Sequence, residues 1–182
     1  MTHDTSPPIL IDIEASSLGD ASYPIEIAFG NSAVEIDSRL IDPSGVASWV
    51  DWSRKAESIH GISRAMLHKK GVTPRAAARW LNEELAGKEI ATDAPDYDLH
   101  WLDTLFDAVQ VKRRFKLAGL NDLIRLRLDS RLTDRDIRDL RDKFVLGHGE
   151  PPHRAAGDVA WLRAFWHSLA SETCLARPFE DT

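Results

Sequence analysis

Only one cysteine, Cys174, stands in the 182 residues. That excludes an intramolecular disulfide framework and any cysteine-cluster metal site, and it suggests a reducing, cytoplasmic setting. Long apolar runs are missing, so no segment reads as a membrane span. The opening, Met1 to Pro8, is polar and proline-rich. It lacks the basic start and apolar centre of a signal peptide. An excess of base is missing as well: 29 acids face 23 bases, a formal charge of -6. Bulk attraction to nucleic acid is therefore not expected, and any such contact must come from a local basic patch or from bound metal. No repeat, low-complexity stretch or linker breaks the chain, which makes one domain over residues 1–182 the simplest reading, with its core over about 9–170. What is present is ordinary for a globular chain, with 43% hydrophobic and 29% charged residues.

Against that background one stretch stands out, Ile9-Leu10-Ile11-Asp12-Ile13-Glu14. It begins as a β-branched apolar run, the mark of a strand covered on both faces. Asp12 and Glu14 interrupt it two residues apart, so they share a face, with backbones roughly 7 Å apart. Two like charges buried together are costly unless a cation or hydrogen bonds compensate. A divalent-metal site at a strand end meets that need. An edge strand with a wet face is the bland alternative, and it fits poorly beside Ile9, Ile11, Ile13 and Leu10.

The rest of the chain reads as mixed α/β. Tyr23 to Gly30 and Ala33 to Ile41 are predicted strands, joined by a turn at Asn31-Ser32, and they make an antiparallel opening with the first. Asp42-Pro43-Ser44-Gly45 breaks the chain, and residues 49–61 read as short helix and loop. Ser63 caps a brief helix through Lys69. Thr73-Pro74 starts another, which ends at Gly87. Glu89 to Thr92 is a short strand. Asp98 to Val109 is helical, with Asp98 in the first turn. Val109 to Leu117 is predicted as a last strand with a basic tail. Leu120–Leu128 and Thr133–Phe144 are helical, Val145–Pro152 is a loop, and the final helix runs from about His153 to Leu169.

Four carboxylates thus come from three elements: Asp12 and Glu14 on the first strand, Asp98 opening a middle helix, and Asp158 in the last. Hard oxygen ligands of this kind favour two divalent cations. Such a pair, about 4 Å apart, clamps the attacking and leaving oxygens of a phosphodiester. His153 lies five residues before Asp158 and suits a general base. His148, between two glycines, competes for that role. His60 closes a turn before Gly61, and His100 sits on a helix surface. Asp93 and Asp96 either tune the metals or are solvated loop acids, and the second reading is preferred. Trp101, Trp161 and Trp166 are core by spacing, with Trp161 partly facing the cleft. The cluster Lys112, Arg113, Arg114, Lys116 reads as a solvated strand end or as a phosphate-tracking patch, which Arg125, Arg127 and Arg131 would extend. Asp134, Asp136, Asp139 and Asp142 interleave with Arg135, Arg138, Arg141 and Lys143, the pattern of a solvent-exposed helix face.

The sequence resembles the DEDDh family of 3'-5' exonucleases, which belongs to the RNase H-like superfamily. Asp12-Ile13-Glu14 matches the family's first motif. Tyr97-Asp98 before a helix matches the second. His153-Arg154-Ala155-Ala156-Gly157-Asp158 matches the third, and it is the most specific string. Ile59 to Ser63, Ile-His-Gly-Ile-Ser, matches a minor hallmark. Together they span about residues 9–169 in the family's order.

The resemblance implies an RNase H-like mixed sheet flanked by helices, two Mg²⁺ or Mn²⁺ ions, and release of nucleoside 5'-monophosphates from a 3' end of single-stranded or short RNA or DNA. It implies that Asp12 bridges both metals, that Glu14 and Asp158 complete the first, that Asp98 helps hold the second, and that His153 is the base. Substrate contacts would come from Ala15, Ser16, Leu18, His60 and Tyr97, with Leu18 wedged against the terminal base. Members often pair as homodimers. Two places depart from the family pattern. Ala15-Ser16-Ser17 stands where Thr-Thr-Gly is usual, and Ala94 stands where Asn is frequent. They leave open a second reading, a non-catalytic nucleic-acid-binding or assembly module that keeps the fold.

Overall fold

A computed structural model describes residues 7–30 and 35–172, with side chains through Leu169. The apolar run of the sequence forms β1 (Ile9–Ala15). β2 (Pro24–Gly30) pairs with it antiparallel, Asp12 opposite Ala28 and Glu14 opposite Glu26. β3 (Asp37–Leu40) continues the antiparallel opening beside β2. On the other side of β1 lies β4 (Glu89–Thr92), parallel, with Leu10 beside Ala91. β5 (Lys116–Gly119) follows it, also parallel. The order is β3-β2-β1-β4-β5, so the acid-bearing strand has a neighbour on each side and the edge-strand alternative falls.

Among the described residues seven α-helices cover the sheet, and local chemistry starts them. α1 (Arg54–His60), α2 (Arg64–Lys70) and α3 (Pro74–Leu85) are capped by Ser53, Ser63 and Thr73, whose hydroxyls each accept a backbone N–H at 3.2 Å. α4 is Pro95–Ala108, α5 Leu120–Arg127, α6 Asp134–His148 and α7 Ala155–Glu172. At the start of α6, Thr133 and Asp136 form a reciprocal capping box.

Alternation along β1 sorts the core into two layers. Ile11 and Ile13 join Ile25, Ile27, Trp80, Leu81, Leu102 and Leu105 on the α3–α4 side. Leu10 joins Ala28, Ala91, Ile124, Phe144, Val159, Leu162 and Phe165 on the α5–α7 side. Each fully buried leucine or isoleucine contributes about 1.5–3 kcal/mol. Asp12 and Glu14 continue the Leu10 row, so their carboxylates face the layer that brings in α7. Among the described residues no helix is long and apolar enough to cross a membrane.

Several boundaries differ from the sequence reading. The last strand begins at Lys116 rather than Val109, because the Asn82 side chain takes the backbone of the preceding loop. It donates to the Lys112 carbonyl at 2.9 Å and accepts the Arg114 N–H at 2.8 Å. α4 starts at Pro95, one turn before Asp98, where proline suits the first helical position. α6 runs on through Gly147 to His148. The His148 ring stacks on Phe144 at 4.0 Å, and the Gly149 N–H closes the last turn on the Val145 carbonyl. α7 starts at Ala155, leaving His153 in the loop. Among the described residues of its expected span, the third strand covers Asp37–Leu40. The Asn31-Ser32 turn, Ala33-Val34 and Cys174 lie outside the described residues.

Candidate active site

β1 supplies Asp12 and Glu14, and the first turn of α7 supplies Asp158. Oxygens of these three carboxylates lie within 4.8 Å of one another. Asp98, in the first turn of α4, is 2% exposed and accepts a short hydrogen bond from the Thr92 hydroxyl. The same Thr92 oxygen accepts the Ala94 N–H at 3.0 Å, so the end of β4 fixes both the helix start and the carboxylate. Asp98 is not within the three-carboxylate group, but its charge acts on Asp12.

The charges oppose one another. Burial pushes Asp12 well above the usual carboxylate range, and Asp98, Asp158, Glu14 and Asp93 push it further. Glu14 is raised to about 7, mainly by burial and then by Asp158 and Glu26, with Arg154 opposing. Asp98 is raised to about 8 by burial, although the Thr92 hydrogen bond pulls it down. Asp158 is raised by burial too, while backbone N–H groups of Arg154 and His153 and the nearby His153 ring work against the shift. Such a cluster takes either protons or cations. A divalent cation among these oxygens reverses the preference and favours the ionised forms.

The loop before α7 is tightly built. Arg154 donates from Nε and Nη2 to the Glu26 carboxylate, at 2.9 and 2.7 Å, and the Ala155 N–H adds a third bond at 3.1 Å. Glu26 is 3% exposed and sits across from Glu14. His153 is exposed and takes a positive φ of 54°. Gly157 packs against Pro152 so closely that a Cβ there would lie 2.4 Å from the proline Cγ. His148, the alternative base, is stacked on Phe144 with Nδ1 3.1 Å from the Phe144 carbonyl.

A cavity of about 360 Å³ opens beside Glu14, lined by Ala15, Leu18, Ile59, His60 and Trp101 among others. Leu18 is 71% exposed at its rim. His60 is 4% exposed; its Nδ1 accepts the Ile62 N–H at 2.9 Å, and its Nε2 is buried without a protein partner. Tyr97 is exposed and its ring centroid lies 5.6 Å from that of Trp101. Ser16 is buried. Its N–H donates to the Tyr23 carbonyl, its carbonyl accepts the Ser53 N–H, and its hydroxyl accepts the Tyr23 N–H.

Other expectations need correction. Asp93 is no simple solvated acid: it pairs with Arg141 at 2.8 Å and shares a cavity with Asp12 and Asp158. Arg141 therefore leaves the solvated face assigned to its helix. Arg125, Arg127 and Arg131 are each engaged with other groups of the protein. Arg125 bonds Asp122, Asp134 and the Leu132 carbonyl; Arg127 bonds the Trp166 carbonyl and covers its ring; Arg131 pairs with Asp129. Trp161 lines the Asp12 cavity, as its partly cleft-facing placement anticipates. Glu26 and Arg154 went unnoticed as site residues. The signal for Glu26 was there, a carboxylate inside the apolar run Pro24–Gly30, the same anomaly that flagged Asp12 and Glu14.

No family model matches the sequence, and no curated protein sequence matches it. Solved structures do. The zinc-bound complex of E. coli exonuclease I with single-stranded DNA matches with a TM-score of 0.67 at 16% identity, over 93% of this chain and 41% of that one. E. coli exonuclease I with a dT13 oligonucleotide gives 0.64 at 17%, over 92% and 42%. Exonuclease I from Methylocaldum szegediense gives 0.64 at 15%, over 94% and 41%. The chain thus spans less than half the length of these structures. At such identities the likeness is one of fold, the mixed α/β fold of exonuclease I.

Proposed function

We propose that this chain is a metal-dependent 3'-5' exonuclease, hydrolysing the 3'-terminal phosphodiester of single-stranded or short nucleic acid, RNA or DNA, and releasing nucleoside 5'-monophosphates. The observation that carries the reading is the convergence of Asp12, Glu14 and Asp158 oxygens within 4.8 Å. The fold likeness to exonuclease I, solved with single-stranded DNA, supports it.

The donor set fits two Mg²⁺ or Mn²⁺ ions. All donors are hard oxygens, and burial first, then repulsion between neighbouring acids, raises their pKa values. Asp12, Glu14 and Asp158 would hold one ion, and Asp12 with Asp98 would hold the other. Bound there, the ions supply Lewis-acid polarisation of the phosphodiester and lower the pKa of a coordinated water.

The protein's own groups do the rest. His153 takes the proton from the attacking water. Thr92 orients Asp98. Leu18 wedges against the terminal base in the cavity beside Glu14, with Ala15 in its wall, Tyr97 flanking, and buried Ser16 holding the loop from behind. Burial holds His60 below the usual imidazole range, so the ring is neutral. Its Nδ1 already accepts a backbone N–H, so Nε2 carries the hydrogen and donates to the substrate. On the same proposal the working protein sits in the cytoplasm, and a homodimer would follow the habit of the family it resembles.

The test is digestion of matched RNA and DNA oligomers, labelled at the 5' end, with Mg²⁺ and with Mn²⁺. Stepwise shortening that disappears in Asp12→Ala is the expected result. Full rate in folded Asp12→Ala overturns the reading.

A further inference from the structure

Arg141 sits where an exposed helix charge has no reason to be. Its Nη1 donates to Asp93 Oδ2 at 2.8 Å, and its guanidinium lies 5.6 Å from the Phe165 ring centroid. Together with Asp12, Asp158 and Trp161 it lines a cavity of about 230 Å³. A second cavity, of about 310 Å³, shares Asp93 and Arg141 and continues to Asn121 and Arg138. Arg138 and Arg141 lie three residues apart on α6, hence on one face. A trough therefore leaves the carboxylate cluster and passes two guanidiniums. It has no lining residue in common with the apolar cavity beside Glu14.

We infer that this trough carries the part of the strand on the 5' side of the cut, with Arg141 binding the phosphate next to the scissile one and Arg138 following behind it. The inference rests on the exonuclease reading. If the terminal nucleotide fills the cavity beside Glu14, the remaining strand leaves on the opposite flank of the acids. A phosphate arriving there meets the carboxylates of Asp12, Asp93, Asp142, Glu150 and Asp158. A guanidinium at that point offsets the repulsion and offers a fork matched to phosphate oxygens. Asp93 holds the fork against the cavity wall until a phosphate replaces it. A bland alternative exists, in which the Asp93–Arg141 pair merely ties α6 to the end of β4.

Substrates of different phosphate number separate the two. An unphosphorylated dinucleotide has only the scissile phosphate, and a trinucleotide has one more. In Mn²⁺, Arg141→Gln should lower kcat/KM on the trinucleotide roughly tenfold, the worth of one charged hydrogen-bonding contact, and leave the dinucleotide near the wild-type value. Equal loss on both substrates, or loss on neither, overturns the inference. Fluorescence anisotropy of a labelled trinucleotide in Ca²⁺ reads the same contact without turnover, and equal binding by wild type and Arg141→Gln also overturns it. Wild type that cleaves neither substrate sinks the exonuclease reading, while the binding comparison still decides the role of Arg141.

Discussion

Glu26 accepts both arms of the Arg154 fork, from a strand position facing Glu14, and this pair ties the start of α7 to the sheet. Asp158 reaches the other carboxylates because α7 begins where Glu26 holds it. Arg154→Ala leaves Glu26 buried and unpaired, so it should destabilise by about 1–3 kcal/mol. It should also weaken Mn²⁺ binding, since Asp158 loses its registration. Chemical unfolding and Mn²⁺ titration calorimetry measure the two effects. Unchanged metal affinity would confine the pair to a purely structural role.

Stability of the metal-free protein should fall as pH rises. Glu14 moves from an ordinary value of 4.5 to about 7 in the fold, and Asp98 from 3.8 to about 8. The folded state therefore holds protons that the unfolded state has released. Their contribution is complete below the ordinary carboxylate values and is lost as pH climbs through 7 and then 8. Thermal unfolding in chelator between about pH 5 and pH 8 tests this. Saturating Mn²⁺ should flatten or invert the slope, because the ions favour the ionised carboxylates. A flat profile in chelator would contradict the burial of these acids.

His153 separates chemistry from backbone strain. Its φ of 54° suits glycine and costs a side-chain-bearing residue about 1 kcal/mol. His153→Ala and His153→Gly should both lose on the order of 10²–10⁴ in kcat with little change in substrate affinity. His153→Gly should at the same time be the more stable of the two. Single-turnover rates and melting curves on both variants check the pattern. Retained turnover would remove the imidazole from the reaction.

Gly157 is the tightest point of the loop. A methyl group there meets the Pro152 ring at 2.4 Å, and a proline ring cannot swing aside. Gly157→Ala should cost about 1–3 kcal/mol as the loop is pushed off α7. Its Mn²⁺ affinity should drop as well, because Asp158 is the next residue. Calorimetric titration of the folded variant decides whether strain reaches the site.

Much of this was legible in the sequence because strong local signals and tertiary needs agreed. Thr73-Pro74 named a helix start, and Asp12 and Glu14 broke an apolar run that no edge strand explains. Misreadings fell where a distant side chain decides the backbone. Nothing near residues 109–115 announces that Asn82 will hold that loop off the sheet. Gly147 looked like a stop signal, yet the stacking of His148 on Phe144 carries α6 through it. Arg141 was hidden for a related reason: its helix alternates charges throughout, and only the arrival of Asp93 from the end of β4 singles it out.

The placement of β1 has a kinetic consequence. Two of the acids ride on a strand that β4 grips at Ile9 and Leu10 and that β2 pairs opposite both acids, so their spacing is set by the sheet. The stretch 149–154 belongs to no helix or strand, yet it leads directly into Asp158. If the proposed activity holds, adjustment between grasping a strand end and letting the product go falls to that side, with the sheet acting as the anvil.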